Sequence, residues 1–159
     1  VKFEYLILAD SMNFTAEGKV NVLGMGWRQA NLPSLPGPLS FTVVASVTVP
    51  PSQAGEYQTE TCLVLPDGTE EVLSPRTAMT FQGPPDAAAI GLVLGLDVVA
   101  KPFTQAGLYR LRVTIGPISE EYEFRVAGPA AKVAASAPAA SKGRRTGGRT
   151  KGSLAPSEA

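Results

Sequence analysis

"LSFTVVASVTV", residues 39–49, alternates apolar side chains with mostly small or polar ones. Leu39, Phe41, Val43, Ala45, Val47 and Val49 fall on one side, and Ser40, Thr42, Val44, Ser46 and Thr48 on the other. Successive side chains of an extended chain point to opposite faces of a sheet, so this is the pattern of a strand with one face against a core. A helix would scatter the same residues around its circumference. The stretch predicts a β protein.

Working outward, the same period recurs. Residues 2–9 place Phe3, Tyr5, Ile7 and Ala9 on one face, and Lys19–Trp27 follows a Glu17-Gly18 turn signal. These two strands are expected to pair as a hairpin with a long loop. Tyr57–Leu65 is the next strand, and "PDGT" (residues 66–69) turns the chain into Glu70–Leu73. Asp-Gly marks such a turn because glycine tolerates the positive φ it demands. A weaker strand follows near Ala78–Phe81. "AAAIGLVLGLDVV" sets Ile90, Leu92, Leu94, Leu96 and Val98 on one face. "GLYRLRVTIG" and "EEYEFRV" then form a closing hairpin, with Tyr109, Leu111, Val113 and Ile115 inward on one arm and Tyr122, Phe124 and Val126 on the other. Eight or nine short strands with Pro/Gly-rich breaks and no helical pattern predict an all-β, antiparallel β-sandwich over residues 1–127.

Two glycine patterns and one proline pattern require a decision. Gly24-Met25-Gly26 begins like a nucleotide-binding loop, but Gln29 stands where the third glycine is needed, and prolines follow where a helix must open. The mechanical reading is preferred: a strand end that bends and turns Trp27 into the core between the sheets. "GLVLG" (residues 91–95) has GxxxG spacing, but the apolar run ends at Asp97, well short of a membrane span. On a strand, Gly91 and Gly95 leave a smooth strip opposite the bulky row, fit for a neighbouring layer, another subunit or an overlying loop. "RQANLPSLPGPL" (residues 28–39) holds Pro33 and Pro36 at PxxP spacing. A stiff crossover between the sheets is preferred over a ligand for a proline-recognising groove.

The chain of 159 residues has zero formal net charge, but its two parts differ. Residues 1–127 hold 8 Lys/Arg and 13 Asp/Glu, whereas residues 128–159 hold 6 basic residues against Glu158 alone. An acidic body carries a basic tail. The tail lacks aromatics and has only Val133 and Leu154 as large aliphatics, so it is expected to be disordered. In "SKGRRTGGRTKG", Lys142, Arg144, Arg145, Arg149 and Lys151 are the candidate contacts to nucleic acid. Basic residues spaced by glycine follow a phosphate backbone without reading bases, so binding would be weak and salt-sensitive. A solubilising tail that lies loosely on the acidic body explains them equally well.

Chemistry is scarce. The chain has no histidine and a single cysteine, Cys62, which removes the commonest general base, the usual triads, zinc clusters and any intramolecular disulfide. Glu70-Glu71 and Glu120-Glu121-Glu123 are read as solvated strand-end charges rather than an acid–base pair. Cys62, mid-strand without a basic neighbour, is read as an inert packed thiol. No enzyme, cofactor, metal or small-molecule ligand is expected. The absence of paired cysteines and of a signal-like start points to the cytoplasm, with Val1 read as an alternative start codon.

"EYLILAD" (residues 4–10) followed by "GKVNVLGMGW" (residues 18–27) resembles the N-terminal signature of a bacterial family of small cytosolic proteins with no assigned function. The resemblance spans residues 1 to about 127 and brings no catalytic or binding residue. "AGLYRLRVTI" (residues 106–115) resembles the penultimate strand of immunoglobulin-like sandwiches, where a small-residue turn and a tyrosine precede the alternating run. The expected function is a non-enzymatic module that binds a protein partner or itself through a sheet face or edge strand, without membrane attachment. The alternative is sequence-independent nucleic-acid tethering through the tail.

Overall fold

A computed structural model describes residues 1–84 and 86–129. The expected all-β sandwich is present, with ten strands: β1 (Lys2–Ala9), β2 (Ser11–Phe14), β3 (Val20–Leu23), β4 (Gln29–Asn31), β5 (Gly37–Val49), β6 (Gly55–Val64), β7 (Glu70–Phe81), β8 (Ile90–Phe103), β9 (Gly107–Ile115) and β10 (Ile118–Ala127). One sheet has the order β1-β5-β8 and the other β4-β10-β9-β6-β7, while β2 and β3 form a separate hairpin. All pairings are antiparallel except β4 with β10. In immunoglobulin terms β1, β5 and β8 take the places of A, B and E, and β6, β9 and β10 those of C, F and G. Among the described residues no strand occupies the place of D between Phe81 and Ile90.

β5 sits at the centre of the smaller sheet. Phe41, Val43, Ala45, Val47 and Val49 are all buried against the facing sheet. They meet Leu63 of β6, Tyr109, Leu111, Val113 and Ile115 of β9, and Tyr122, Phe124 and Val126 of β10. Each such Val, Leu, Ile or Phe side chain contributes about 1.5–3 kcal/mol when removed from water. Phe41, Phe103, Tyr109 and Phe124 form a continuous aromatic cluster, joined by Trp27.

The first strand departs from its expected phase. A bulge between Phe3 and Tyr5 displaces Glu4 from the ladder, so Phe3, Leu6 and Leu8 share the core face while Tyr5 is exposed. The displaced Glu4 carboxylate accepts hydrogen bonds from Thr48 Oγ1 (2.8 Å) and Lys2 Nζ (3.2 Å). The expected hairpin of the first two strands is also corrected. β1 pairs with β5, and the Val20–Leu23 strand pairs instead with Ser11–Phe14, because the chain bends at Asp10. The strands expected at Glu70–Leu73 and Ala78–Phe81 are one continuous β7, with register shifts against β6 near Thr61. Residues 28–38 do cross between the sheets. Leu32 is buried and its N–H donates to Ala127 O (2.8 Å), which ties the proline-rich stretch to the domain.

Candidate interaction surface

The β2–β3 hairpin lies on the outer face of the smaller sheet. Its register pairs Met12 with Val22 and Phe14 with Val20, so these four share one side. Met12 reaches down to Gly95 of β8, where a Cβ would collide with its terminal methyl. Gly95 therefore leaves room for Met12, although it is itself exposed. Gly91 has open space above it.

Where β3 ends, Gly24 (φ 60°) and Gly26 (φ 82°) adopt the left-handed conformation that side chains disfavour. The bend is fixed by backbone hydrogen bonds, Asp10 N–H to Leu23 O (2.9 Å) and Gly26 N–H to Leu8 O (2.7 Å). Two results follow. Trp27 swings inward, with its ring edge-to-face on Phe124 (5.7 Å) and Phe41 (6.2 Å). Met25 is thrown outward, 62% exposed, beside Leu23 at 66%. The opposite side of the hairpin thus presents a shallow depression lined by Ser11, Asn13, Asn21, Leu23 and Met25. A second depression continues from Met25 past Asp10 to Gln29 and Asn31, whose side chains are hydrogen-bonded to each other (2.9 Å). Apart from Asp10 this rim is uncharged. The bend and the inward tryptophan are as the sequence predicts. The exposed Leu23–Met25 pair is not, and its signal is two apolar residues on opposite sides of Gly24.

Glu70 and Glu71 open β7, at a strand end as expected, but Glu121 is placed differently. Glu121 lies mid-strand on the outer face of the larger sheet, not at a strand end, and accepts from Arg112 Nε (2.8 Å) and Arg110 (3.4 Å). Glu70 accepts from the other side of the same Arg112 guanidinium (2.8 Å). That guanidinium holds the Glu121 carboxyl below its usual range, and the two carboxylates push Arg112 up. Glu71 pairs with Lys101 across the gap between β7 and β8. Glu120 and Glu123 are exposed. Glu70, Glu71 and Glu121 form cross-strand ion pairs, and the carboxyl of Glu121 is pushed down, the opposite of what a general acid needs. Cys62 lies buried behind Arg112, and burial followed by Glu60 and Glu70 pushes its thiol up, away from nucleophilic thiolate. Among the described residues no group of three His, Cys, Asp or Glu side chains is placed to hold a metal, and no helix is long and apolar enough to cross a membrane. Lys142, Arg144, Arg145, Arg149 and Lys151 lie outside the described residues.

The model of a family of unknown function, DUF6941, matches residues 4–127, and the chain belongs to that family. No curated protein matches the sequence. Among solved structures, a β-glucosidase from Listeria innocua is similar to 80% of this chain at 15% identity, with a TM-score of 0.46. The Pseudomonas fluorescens alkylpurine DNA glycosylase AlkC, bound to DNA containing an abasic site analog, is similar to 77% at 8% identity, with a TM-score of 0.45. The chain spans 16% of the first of these proteins and 30% of the second.

Proposed function

We propose that this member of the DUF6941 family is a non-catalytic interaction module that binds a protein partner through the shoulder built by the β2–β3 hairpin and the Gly24–Gly26 bend. The observation that carries this reading is the pair Leu23 and Met25, adjacent and mostly exposed amid Ser11, Asn13 and Asn21. An apolar centre with a neutral polar rim is the composition of a protein-binding patch, where charge is depleted at the centre. Methionine suits such a surface because its unbranched, polarisable side chain adapts to the partner. The shoulder is also rigid, since both glycine corners are tied by backbone hydrogen bonds to β1 and Asp10. Little ordering entropy remains to oppose binding there. A reducing bacterial cytoplasm is the setting this reading assumes, in keeping with a lone, packed Cys62.

Affinity capture with the full chain and with the double variant Leu23→Asp/Met25→Asp tests the proposal. Both positions are solvent-facing, so the variant should keep the wild-type circular dichroism and unfolding midpoint. A specific protein captured by the wild type and lost by the variant is the expected result. Equal capture by both, or capture of nothing by the wild type, overturns it.

A further inference from the structure

The two main sheets have four edges, and three of them are guarded against pairing. β1 carries Lys2, Glu4 and a bulge. β4 is only Gln29–Asn31. β7 carries Glu70, Glu71, Pro75, Arg76 and the register shifts near Thr61. Charges, prolines, bulges and brevity are the devices by which sheets keep their edges from accepting another strand. β8 has none of them from Ile90 to Leu96, and its register with β5 runs without a break from Gly91 to Val98. Protection begins with the charge of Asp97 and continues with the irregular Val99–Ala100 step, Pro102 and the clasp of Lys101 to Glu71.

This open stretch is also where the immunoglobulin arrangement has strand D, for which the chain supplies no strand among the described residues. The inner row pays a visible cost: Leu92, Leu94, Leu96 and Val98 are only half-buried, and a cavity lined by Val43, Thr61, Met79, Leu94, Leu96 and Val113 opens between β8 and β7.

We infer that a second copy of this chain fills that place, its β8 pairing antiparallel with this β8 about a two-fold axis at Leu94. The sequence of the edge fits a second copy and sets the register. A two-fold that passes through any residue of β8 sets inner row against inner row, whereas one between residues would turn each copy's apolar row to the wrong face. Centring on Leu94 gives the longest apolar match, Ile90 with Val98, Leu92 with Leu96, and Leu94 with itself. On the outer row it sets Gly91 opposite Asp97 of the second copy and Val93 opposite Gly95. Such a contact is isologous and closes as a dimer rather than growing into a fibre. It is separate from the Leu23–Met25 shoulder.

Sedimentation equilibrium of the full chain from the micromolar to the sub-millimolar range tests this, together with Gly91→Lys and Gly91→Asp. A side chain at Gly91 meets nothing within 4 Å, so both variants are expected to fold. The wild type should show a monomer–dimer equilibrium. Gly91→Lys should tighten it and Gly91→Asp weaken it, each by roughly five-fold, because the new charge faces Asp97 of the other copy twice per dimer. A monomer at all concentrations, or a dimer indifferent to both substitutions, overturns the inference. The Leu23→Asp/Met25→Asp variant should dimerise like the wild type, so failure of the shoulder reading and failure of this one are read separately.

Discussion

The hydroxyl of Tyr109 donates to the backbone carbonyl of Gln105, 2.8 Å away, across the turn that leads into β9. Tyr109 is almost fully buried and stacks on Phe124 (5.7 Å, 22° between planes). The bond therefore anchors a loop to the centre of the core. It is the corner that the "AGLYRLRVTI" resemblance implies: a tyrosine at the start of the penultimate strand, tied to the chain just before it. Two other tyrosines do the same elsewhere, Tyr57 to Gln53 O (2.7 Å) and Tyr122 to Trp27 O (3.0 Å).

Tyr109→Phe keeps the ring and its stacking and deletes only the hydroxyl, so the expected loss is about 1 kcal/mol, measured by urea unfolding at neutral pH. The variant should also respond less to alkali. Burial raises the folded-state phenols of Tyr109 and Tyr122 above the usual 10.0, so their contribution is full below that value and is lost as pH rises through the folded-state values. Wild-type stability should fall above pH 10, and Tyr109→Phe should remove part of the fall. An unchanged alkaline slope would show that the hydroxyl is solvated after all.

At the acid end the sign reverses. Glu121 is depressed below 4.5 chiefly by its hydrogen bond from Arg112, so its contribution is present above 4.5 and is lost as pH drops through the lower folded-state value. Glu121→Gln should flatten that acid limb without changing the alkaline one. The effect is modest because both partners are partly exposed and screened by solvent, and added salt should shrink it further. Thermal unfolding at matched pH values with and without salt measures both.

The glycine corners predict an order. Gly26→Ala forces a side chain into φ 82° with free space around it, which costs about 1–2 kcal/mol. Gly24→Ala meets the same strain at φ 60° and in addition the Asp10 carboxylate, so it should cost more. Denaturant midpoints ranked Gly24→Ala below Gly26→Ala below wild type are expected. Asp10→Ala combined with Gly24→Ala should recover the difference between the two.

Particular residues show why some of this architecture was legible and some was not. Residues 39–49 read correctly as a strand because Phe41, Val43, Ala45, Val47 and Val49 all face the other sheet, although Thr42 and Val44 on the opposite row are buried as well. Residues 2–9 misled because one extra residue, Glu4, inverts every face on one side of it, and a bulge leaves no mark in the alternation. The hairpin partner was missed for a related reason. Residues 8–14 and 20–26 touch through Asp10–Leu23 and Gly26–Leu8, but the long-range competitor β5 takes β1, and local turn signals cannot report that. The exposed pair at Leu23 and Met25 was hidden because the amino-acid type says nothing of orientation where two left-handed glycines reset it. The candidate nucleic-acid contacts fall outside the described residues.

Trp27 supplies the last prediction, because it is held by two opposing effects. Its ring packs edge-to-face on Phe41 and Phe124, while its Nε1–H is buried with no acceptor among the described residues. An orphaned donor costs about 1–3 kcal/mol, comparable to what part of the ring contributes by packing. Trp27→Phe removes the orphan and keeps much of the apolar contact, so it should change stability by less than about 1 kcal/mol. Trp27→Ala leaves a void beside Phe124 and should cost about 3 kcal/mol, the low end for a large aromatic because Trp27 is half-buried. Trp27 also backs the depression that runs from Met25 to Asn31. Trp27→Ala should therefore weaken partner capture, while Trp27→Phe should preserve it. Equal losses of stability for the two substitutions would mean that a phenyl ring recovers none of the indole's packing and that the indole N–H carries no penalty worth removing.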